Sequence, residues 1–337
     1  MRPGPVLVIQ TAFLGDVVLT TPLLARLAAR FGPVDVVTTP AAAELIETHP
    51  AVHRVIRYDK RGADRGIGGF RRLAERLADT RYSAAFLPHR SWRSAALAFA
   101  AHVPDRTGFA DSPAAILYTR RVARPRGGHE SARLLALADD RRVAAPPPKV
   151  SLVLTDADRA AAGAWLAERR ITTPFVAVAP GSIWGTKRWP GYTELVARLE
   201  KPVVVLGSAA DGELAAQVAG AAAGRAHSAA GALSLRESAA LIERASLLVT
   251  NDSAPLHLAT GVGTPVVAVF GPTTPSQGFG PLGGAGRVVQ ASGLWCRPCS
   301  PHGPATCPLG HHACMQSITV DQVLSAATSL PTTAAAH

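Results

Sequence analysis

Asn251, Asp252, Ser253 and His257 stand close together in TNDSAPLHLATGVGTPVVAVFGPT (residues 250–273), between apolar runs that read as strands. All four are good partners for a polar guest. Pro255 falls where a helix would start, a place where its missing N–H costs little. The free N–H groups of that first turn favour an anion such as a diphosphate. A carboxylate beside such an anion would be repelled. Asp252 is therefore expected to cap the helix or to accept from a hydroxyl or amine of the guest. His257 would donate to the anion or pack against the loop. A second stretch, APGSIWGTKRWP (residues 179–190), places Ser182, Thr186, Lys187 and Arg188 after a strand ending in Pro-Gly. Small hydroxyls and a cation there suit a phosphate; a solvated loop anchored by Trp184 and Trp189 is the plainer reading.

Near the N-terminus, QTAFLGDVVLTTP (residues 10–22) carries one glycine, Gly15, followed by Asp16. A dinucleotide fingerprint needs three glycines so that backbone can touch a pyrophosphate, so a nicotinamide cofactor is disfavoured. Asp16 either caps the helix that begins there or faces a ligand as a general base. At the other end, CRPCSPHGPATCPLGHHAC holds every cysteine of the chain, Cys296, Cys299, Cys307 and Cys314, spaced C-x2-C-x7-C-x6-C with His302, His311 and His312 between them. Two readings stay open: a structural zinc or Fe–S site, or reduced thiols without metal.

The elements that must position these residues follow from the apolar runs. Val6–Gln10, Val34–Thr38, Val52–Tyr58 and Ala84–Pro88 read as strands separated by helical patterns, the first running from Val17 to Phe31 with Pro22 in it. Such alternation implies a parallel sheet covered on both faces. The run RRVAAPPPKV (residues 141–150) breaks the rhythm and reads as a linker. The rhythm restarts with Phe175–Ala179, Val203–Gly207, Leu247–Thr250 and Val266–Phe270. Two α/β domains in tandem are expected, with ligands at the C-terminal ends of strands. The 337 residues suffice for two cores.

Charge is uneven. Residues 1–150 hold 23 Lys+Arg against 13 Asp+Glu, and residues 151–337 hold 12 against 11. The first half should meet something anionic. Aromatic content is only 5%, and no stacking platform or RNA-binding signature shows, which disfavours nucleic acid. The first ten residues lack the apolar core of a signal peptide, and no run is long enough to span a bilayer. A cytoplasmic protein is expected, at most peripheral on the inner face of the inner membrane.

Taken together, VLVIQTAFLGDVVLTTPLL, LPHRSWRSAALAF with RTGF after it, PGSIWGTKRWP, TNDSAPLHLATGVGTPVVAVFGPT and CPLGHHACM resemble glycosyltransferase family 9, the heptosyltransferases of lipopolysaccharide core synthesis. The resemblance covers nearly the whole chain. It implies the GT-B fold: an acceptor-binding Rossmann-like domain over residues 1–145, a nucleotide-sugar-binding one over 150–315, and a C-terminal helix over 316–337 returning to the first domain. It implies inverting transfer of heptose from ADP-heptose, with no cofactor required for catalysis, to an anionic lipid A/Kdo core acceptor at the inner-leaflet membrane surface. By position, Asp16 matches the base and Lys187 the cation that neutralises the departing diphosphate. Ser182, Asp252, Ser253 and His257 match the nucleotide-sugar motif, with Ala254 where the family often has glycine. The acid near the adenosine ribose is Asp211 or Glu213. Lys60, Arg61, Arg90 and Arg93 are the expected acceptor contacts, and His89 replaces a usual Asn among them. Two alternatives compete: a GT-B transferase of another nucleotide sugar to a different glycan or secondary metabolite, and a non-enzymatic basic module that binds anionic surfaces.

Overall fold

The structure is a computed structural model that describes residues 4–138, 149–171, 173–282 and 285–330. The chain divides into two compact units, Met1–Val153 and Leu154–His337. Most of the expected linker, residues 141–148, lies outside the described residues. Beyond it, the first unit holds the chain up to the boundary: the Ser151 N–H donates to Thr21 Oγ1 at 3.1 Å, and Thr48 Oγ1 donates to the Val153 carbonyl at 2.5 Å.

The first unit runs β1 (Val6–Ile9), α1 (Leu14–Phe31), β2 (Val34–Thr38), α2 (Pro40–Ile46), β3 (Val52–Arg57), α3 (Gly66–Asp79), β4 (Ala84–Leu87), α4 (Trp92–Ala100), β5 (Asp105–Phe109), β6 (Arg120–Val122) and α5 (Glu130–Leu135). Its sheet has the order β3-β2-β1-β4-β5-β6 and is parallel throughout. β1 and β4 are fully buried, which is why both read as unbroken apolar runs. Helices α3 and α4 cover one face, with Leu73, Leu77, Ala95 and Leu97 packed on Leu7, Ile9 and Val37. Helix α1 starts three residues earlier than the apolar pattern suggested, so Pro22 falls in its interior. Proline there leaves the carbonyl four residues back without its N–H. That carbonyl is Val18's, and Thr21 Oγ1 donates to it at 2.8 Å, so the helix continues.

The second unit runs α6 (Asp156–Glu168), β7 (Val176–Ala179), α7 (Tyr192–Arg198), β8 (Val203–Val205), α8 (Gly212–Gly220), β9 (Ala226–Ser228), α9 (Leu235–Arg244), β10 (Leu247–Asn251), α10 (Ala254–Val262), β11 (Val266–Phe270), β12 (Gly286–Gln290), α11 (Ala313–Gln316) and α12 (Val320–Thr328). The sheet is again parallel, in the order β12-β11-β10-β7-β8-β9. Helix α12 packs on β11, β12 and α7, and its Val320 and Val323 are buried in the second unit's core. Their apolar spacing needs a partner surface, and the second sheet supplies it.

Both sheets reverse direction at their first strand. In an open parallel sheet, that reversal leaves a crevice at the carboxyl ends of the two central strands. In the first unit these are the ends of β1 and β4; in the second, the ends of β7 and β10.

Candidate active site

In the second unit, β7 ends at Ala179 and the chain passes through Pro180 and Gly181 into the loop bearing Ser182 and Lys187. Strand β10 delivers Asn251, Asp252 and Ser253 to the same crevice. Asn251 joins the two strand ends. Its side-chain NH2 donates to the Pro180 carbonyl at 2.9 Å, and its oxygen accepts from Trp189 N at 3.2 Å and Tyr192 OH at 3.0 Å. Lys187 lies in a short 3-10 turn and is buried. Its Nζ donates to Asp252 Oδ2 at 2.6 Å and to the Asp252 carbonyl at 3.2 Å. Thr273 Oγ1 donates to the same carboxylate oxygen at 2.6 Å.

The cap position expected of Asp252 falls to its neighbour. Ser253 occupies the N-cap position of α10, and the Asp252 carboxylate turns to Lys187 and Thr273. Sequence reasoning kept these residues in separate motifs; the parallel pairing of β7 with β10 brings two of them together. An ammonium has three N–H donors, and Asp252 takes two, leaving one for an anion. The cap side chain of Ser253 makes no bond to the helix; its Oγ lies 3.4 Å from Thr250 Oγ1. Pro255 stands in the first turn as expected, and the N-terminal end of α10 offers its positive dipole to the crevice. Ala254 opens the helix, where a methyl side chain is well tolerated. His257 is buried, with its ring edge-on to Phe279 at 6.4 Å between centroids.

Asp211 and Glu213 separate. Asp211 accepts from the Ser208 N–H at 3.0 Å and the Ser208 hydroxyl at 2.6 Å. A Cβ on Gly181 would fall 2.6 Å from Asp211 Oδ1, so the loop after β7 passes directly beneath this carboxylate. Glu213 points outward from the first turn of α8. Ser182 Oγ accepts from Trp184 N at 3.3 Å and shapes the loop.

The cysteine-rich segment covers the same crevice. Arg297 fastens it to the end of β11, donating to the carbonyls of Gly271, Thr273 and Phe270. His312 Nε2 donates to the Thr186 carbonyl at 2.7 Å, and Thr186 Oγ1 donates to the Pro304 carbonyl. Gly303 has a φ of +80°, and a Cβ there would sit 3.3 Å from Lys187 Cε, so the segment lies on the lysine stem. Partial burial, and then the charge of Lys187, hold His302 below the usual imidazole pKa; Asp252 opposes them. Thr273 and Arg297 are thus neighbours of the site that residue type alone did not single out. Thr273 had the clearest signal, as it closes the same quoted stretch. Burial raises the Cys299 and Cys314 thiols, and the other cysteines add to the shift. Backbone N–H groups, from His312 first, lower Cys307. The thiols therefore sense one another. Among the described residues, however, no three His, Cys, Asp or Glu side chains are arranged to hold a metal ion. Backbone anchors from Arg297 and His312 hold this segment in place.

The crevice of the first unit has a different character. Asp16 lies at the third position of α1 and accepts from the Phe13 N–H at 3.1 Å. Lys60, in the loop after β3, reaches the end of β1: its Nζ donates to the Thr11 carbonyl at 2.7 Å and to Thr11 Oγ1 at 3.4 Å. Burial, with the nearby charges of Arg61 and Arg93, lowers its pKa. Arg93 donates to Tyr58 OH at 3.1 Å. His89 follows β4, with its Nε2 3.5 Å from Ser94 Oγ. Burial and then the Lys60 charge push its pKa down to about 4, so the ring is neutral at pH 7. Lys60, Arg61, Arg93 and His89 therefore form one cluster. Arg90 stands apart, 3.7 Å from Asp111 Oδ2.

A family model, Glycosyltransferase family 9 (heptosyltransferase), matches residues 70–309. The chain belongs to glycosyltransferase family 9. As a member of that family it is a glycosyltransferase. The match spans the whole second-unit crevice together with His89, Arg90 and Arg93; Asp16, Lys60 and Arg61 precede it. The lipopolysaccharide heptosyltransferase 2 of Salmonella typhimurium is 29% identical, over 85% of this chain and 87% of its own length. A solved structure titled E. coli ADP-heptose lps heptosyltransferase II superposes with a TM-score of 0.79 at 25% identity, over 96% of this chain and 98% of that one. A family 9 glycosyltransferase from Veillonella parvula superposes with a TM-score of 0.86 at 23% identity, over 98% and 97%. The GT-B architecture expected for the family 9 chain is thus observed as two parallel six-stranded α/β sheets.

Proposed function

We propose that this protein transfers heptose from ADP-heptose to a hydroxyl of the lipopolysaccharide inner core, with inversion at the anomeric carbon and without a catalytic metal. The observation that carries this reading is the buried Lys187–Asp252 pair beside the N-terminus of α10. It is a pre-built donor-side site for a diphosphate that gains charge as it leaves. The relatives named above, whose own names specify heptosyl transfer, support the sugar.

In this mechanism the acceptor is held by the first unit. Its hydroxyl oxygen attacks the anomeric carbon of the sugar held by the second, opposite the diphosphate. Asp16 takes the hydroxyl proton as the new C–O bond forms. The bond to the diphosphate breaks, its electron pair staying on the phosphate oxygen. The third N–H of Lys187 and the dipole of α10 stabilise that charge. Asp252 and Thr273 fix the direction of the ammonium, so little reorganisation accompanies bond breaking. Ser182, Ser253 and His257 line the donor side, and Asp211, rather than the outward Glu213, faces the nucleotide ribose. Lys60, Arg61 and Arg93 meet the anionic groups of a lipid A/Kdo acceptor, and in this reading the reaction runs at the inner-leaflet surface in the cytoplasm. Arg90 is the weakest of the four expected contacts, being tied to Asp111.

Mixing the protein with ADP-heptose and either Kdo2-lipid A or its mono-heptosylated form tests the reading. One heptose mass increment on one acceptor is expected. Loss of turnover with both acceptors, alongside turnover with UDP- or GDP-sugars, would transfer the assignment to another nucleotide sugar.

A further inference from the structure

Helices α3 and α4 pack side by side on one face of the first sheet. Each follows a strand of that parallel sheet, so both begin at the carboxyl edge. Their first turns expose large apolar side chains: Ile67 in α3 is 79% exposed and Trp92, the first residue of α4, 52%. Ile116, in the turn that packs on α4, is 74% exposed. Gly66 and Gly68 flank Ile67, so the isoleucine stands clear of neighbouring side chains. Single exposed apolar residues are ordinary on a soluble protein. Two at the starts of neighbouring helices, Ile67 and Trp92, are less so, and here cations flank them along the chain.

From Lys60 to Arg76 there are six cations (Lys60, Arg61, Arg65, Arg71, Arg72 and Arg76) and two acids (Asp64 and Glu75). Arg71 is 4.0 Å from Glu75 and Arg72 is 4.0 Å from Asp64. At their exposure such pairs are weak and readily exchanged for other anions. Arg71 follows Ile67 by one helical turn, so the two share a stripe. Arginine stems can lie along apolar surface while their guanidinium groups reach phosphates, and tryptophan favours the boundary between headgroup and acyl chain.

We propose that the α3–α4 face docks on an anionic lipid bilayer, with Ile67 and Trp92 entering the headgroup–acyl boundary and Arg65, Arg71 and Arg72 on the lipid phosphates. The inference deepens the proposed function, because a lipid-borne acceptor would then meet the first unit already at the membrane. A polyanion such as RNA fits less well: Trp92 offers one exposed ring where a strand needs a series.

The test is co-sedimentation of the full chain with vesicles of phosphatidylcholine alone or doped with phosphatidylglycerol, with no saccharide acceptor present. Binding is expected only to the doped vesicles, weakening as salt rises. Arg71→Glu with Arg72→Glu should lower the partition at least about tenfold. Ile67→Ser with Trp92→Ser should lower it by at least about tenfold as well. Titration with ADP serves as the folding control and should be unchanged in both variants. Equal binding to both vesicle types, wild-type binding by the variants, or displacement by mixed-sequence RNA that the Ile67/Trp92 variant binds equally well would overturn the proposal. Because these vesicles carry no acceptor, failed docking and failed heptose transfer are separate outcomes.

Discussion

The two crevices occupy equivalent positions in their sheets but handle charge in opposite ways. In the second unit the central cation is neutralised within the protein: Lys187 is held by the Asp252 carboxylate and carbonyl. In the first unit the central cations lean on neutral groups, Lys60 on Thr11 and Arg93 on Tyr58, and burial, then the charges of Arg61 and Arg93, lower the proton affinity of Lys60. A cation already paired and aimed suits a reaction centre, where the geometry of stabilisation must exist before charge develops. Cations without a carboxylate leave positive potential to be met by the ligand, which suits recognition of an anionic acceptor. The excess charge of the first half is therefore partly located: it is concentrated near β3 and β4.

The largest expected effect lies where the first crevice contributes chemistry rather than attraction. Asp16→Asn keeps an oxygen that can accept from the Phe13 N–H, so the start of α1 survives, but it removes the proposed base. We predict a fall in kcat of roughly 10²–10⁴-fold, with ADP affinity unchanged by calorimetry. A fall in thermal stability in step with activity would instead return Asp16 to a purely capping role. Next comes Lys187→Ala, expected to lower kcat about 10²–10³-fold. It also leaves a buried carboxylate without its cation, a loss of about 3–5 kcal/mol in stability. Lys187→Ala with Asp252→Ala should recover part of that stability and none of the rate. If the double variant recovered both, the pair would be structural and the contrast between the crevices would collapse.

The contrast was only partly legible in the sequence. The central strands were, because burial on both faces favours largely apolar runs: Val34–Thr38 and Val266–Phe270 match β2 and β11 residue for residue. Among the outer strands β3 was legible, as Val52–Tyr58, and the others were not. β5 (DRTGF), β6 (RRV) and β12 (GRVVQ) lie toward the sheet edges, where polar side chains reach solvent and the apolar signal disappears. Within the site, spacing was enough to mark Lys187 and Asp252 as candidates. It could not show that they touch, because 65 residues separate them and only the β7–β10 pairing closes that distance. The cysteine segment was legible as a cluster, but its contact with Lys187 depends on Arg297 and Gly303, whose roles are set by backbone carbonyls and a positive φ.

His89 gives the next effect in size. Its folded pKa of about 4, against an unfolded value of about 6.5, means that the unfolded chain takes up the proton first as pH falls. Stability should therefore be complete above about pH 6.5 and decline toward pH 4, by about 3 kcal/mol if the ring accounts for it alone. Chemical denaturation across that window should show a shallower slope for His89→Asn. An identical slope would mean that the ring is more solvated than its neighbours imply, and that the first crevice is more open than described.

The smallest effect sharpens the comparison most directly, because it contrasts two cations within the first unit. Lys60 donates to the hydroxyl and carbonyl of Thr11, whereas Arg90 has Asp111 within 3.7 Å. If unneutralised charge is what the acceptor reads, Lys60→Ala should raise the acceptor KM about tenfold, the loss of roughly one charge-assisted hydrogen bond. The value of kcat should hold, because the lysine acts before the sugar moves. Arg90→Ala should change KM less than about twofold, since an exposed, paired cation contributes little. Raising salt should lift the wild-type KM toward that of Lys60→Ala and leave the variant almost unmoved. Equal losses for Lys60 and Arg90 would show that the whole basic surface, not the crevice at the end of β1, recognises the acceptor.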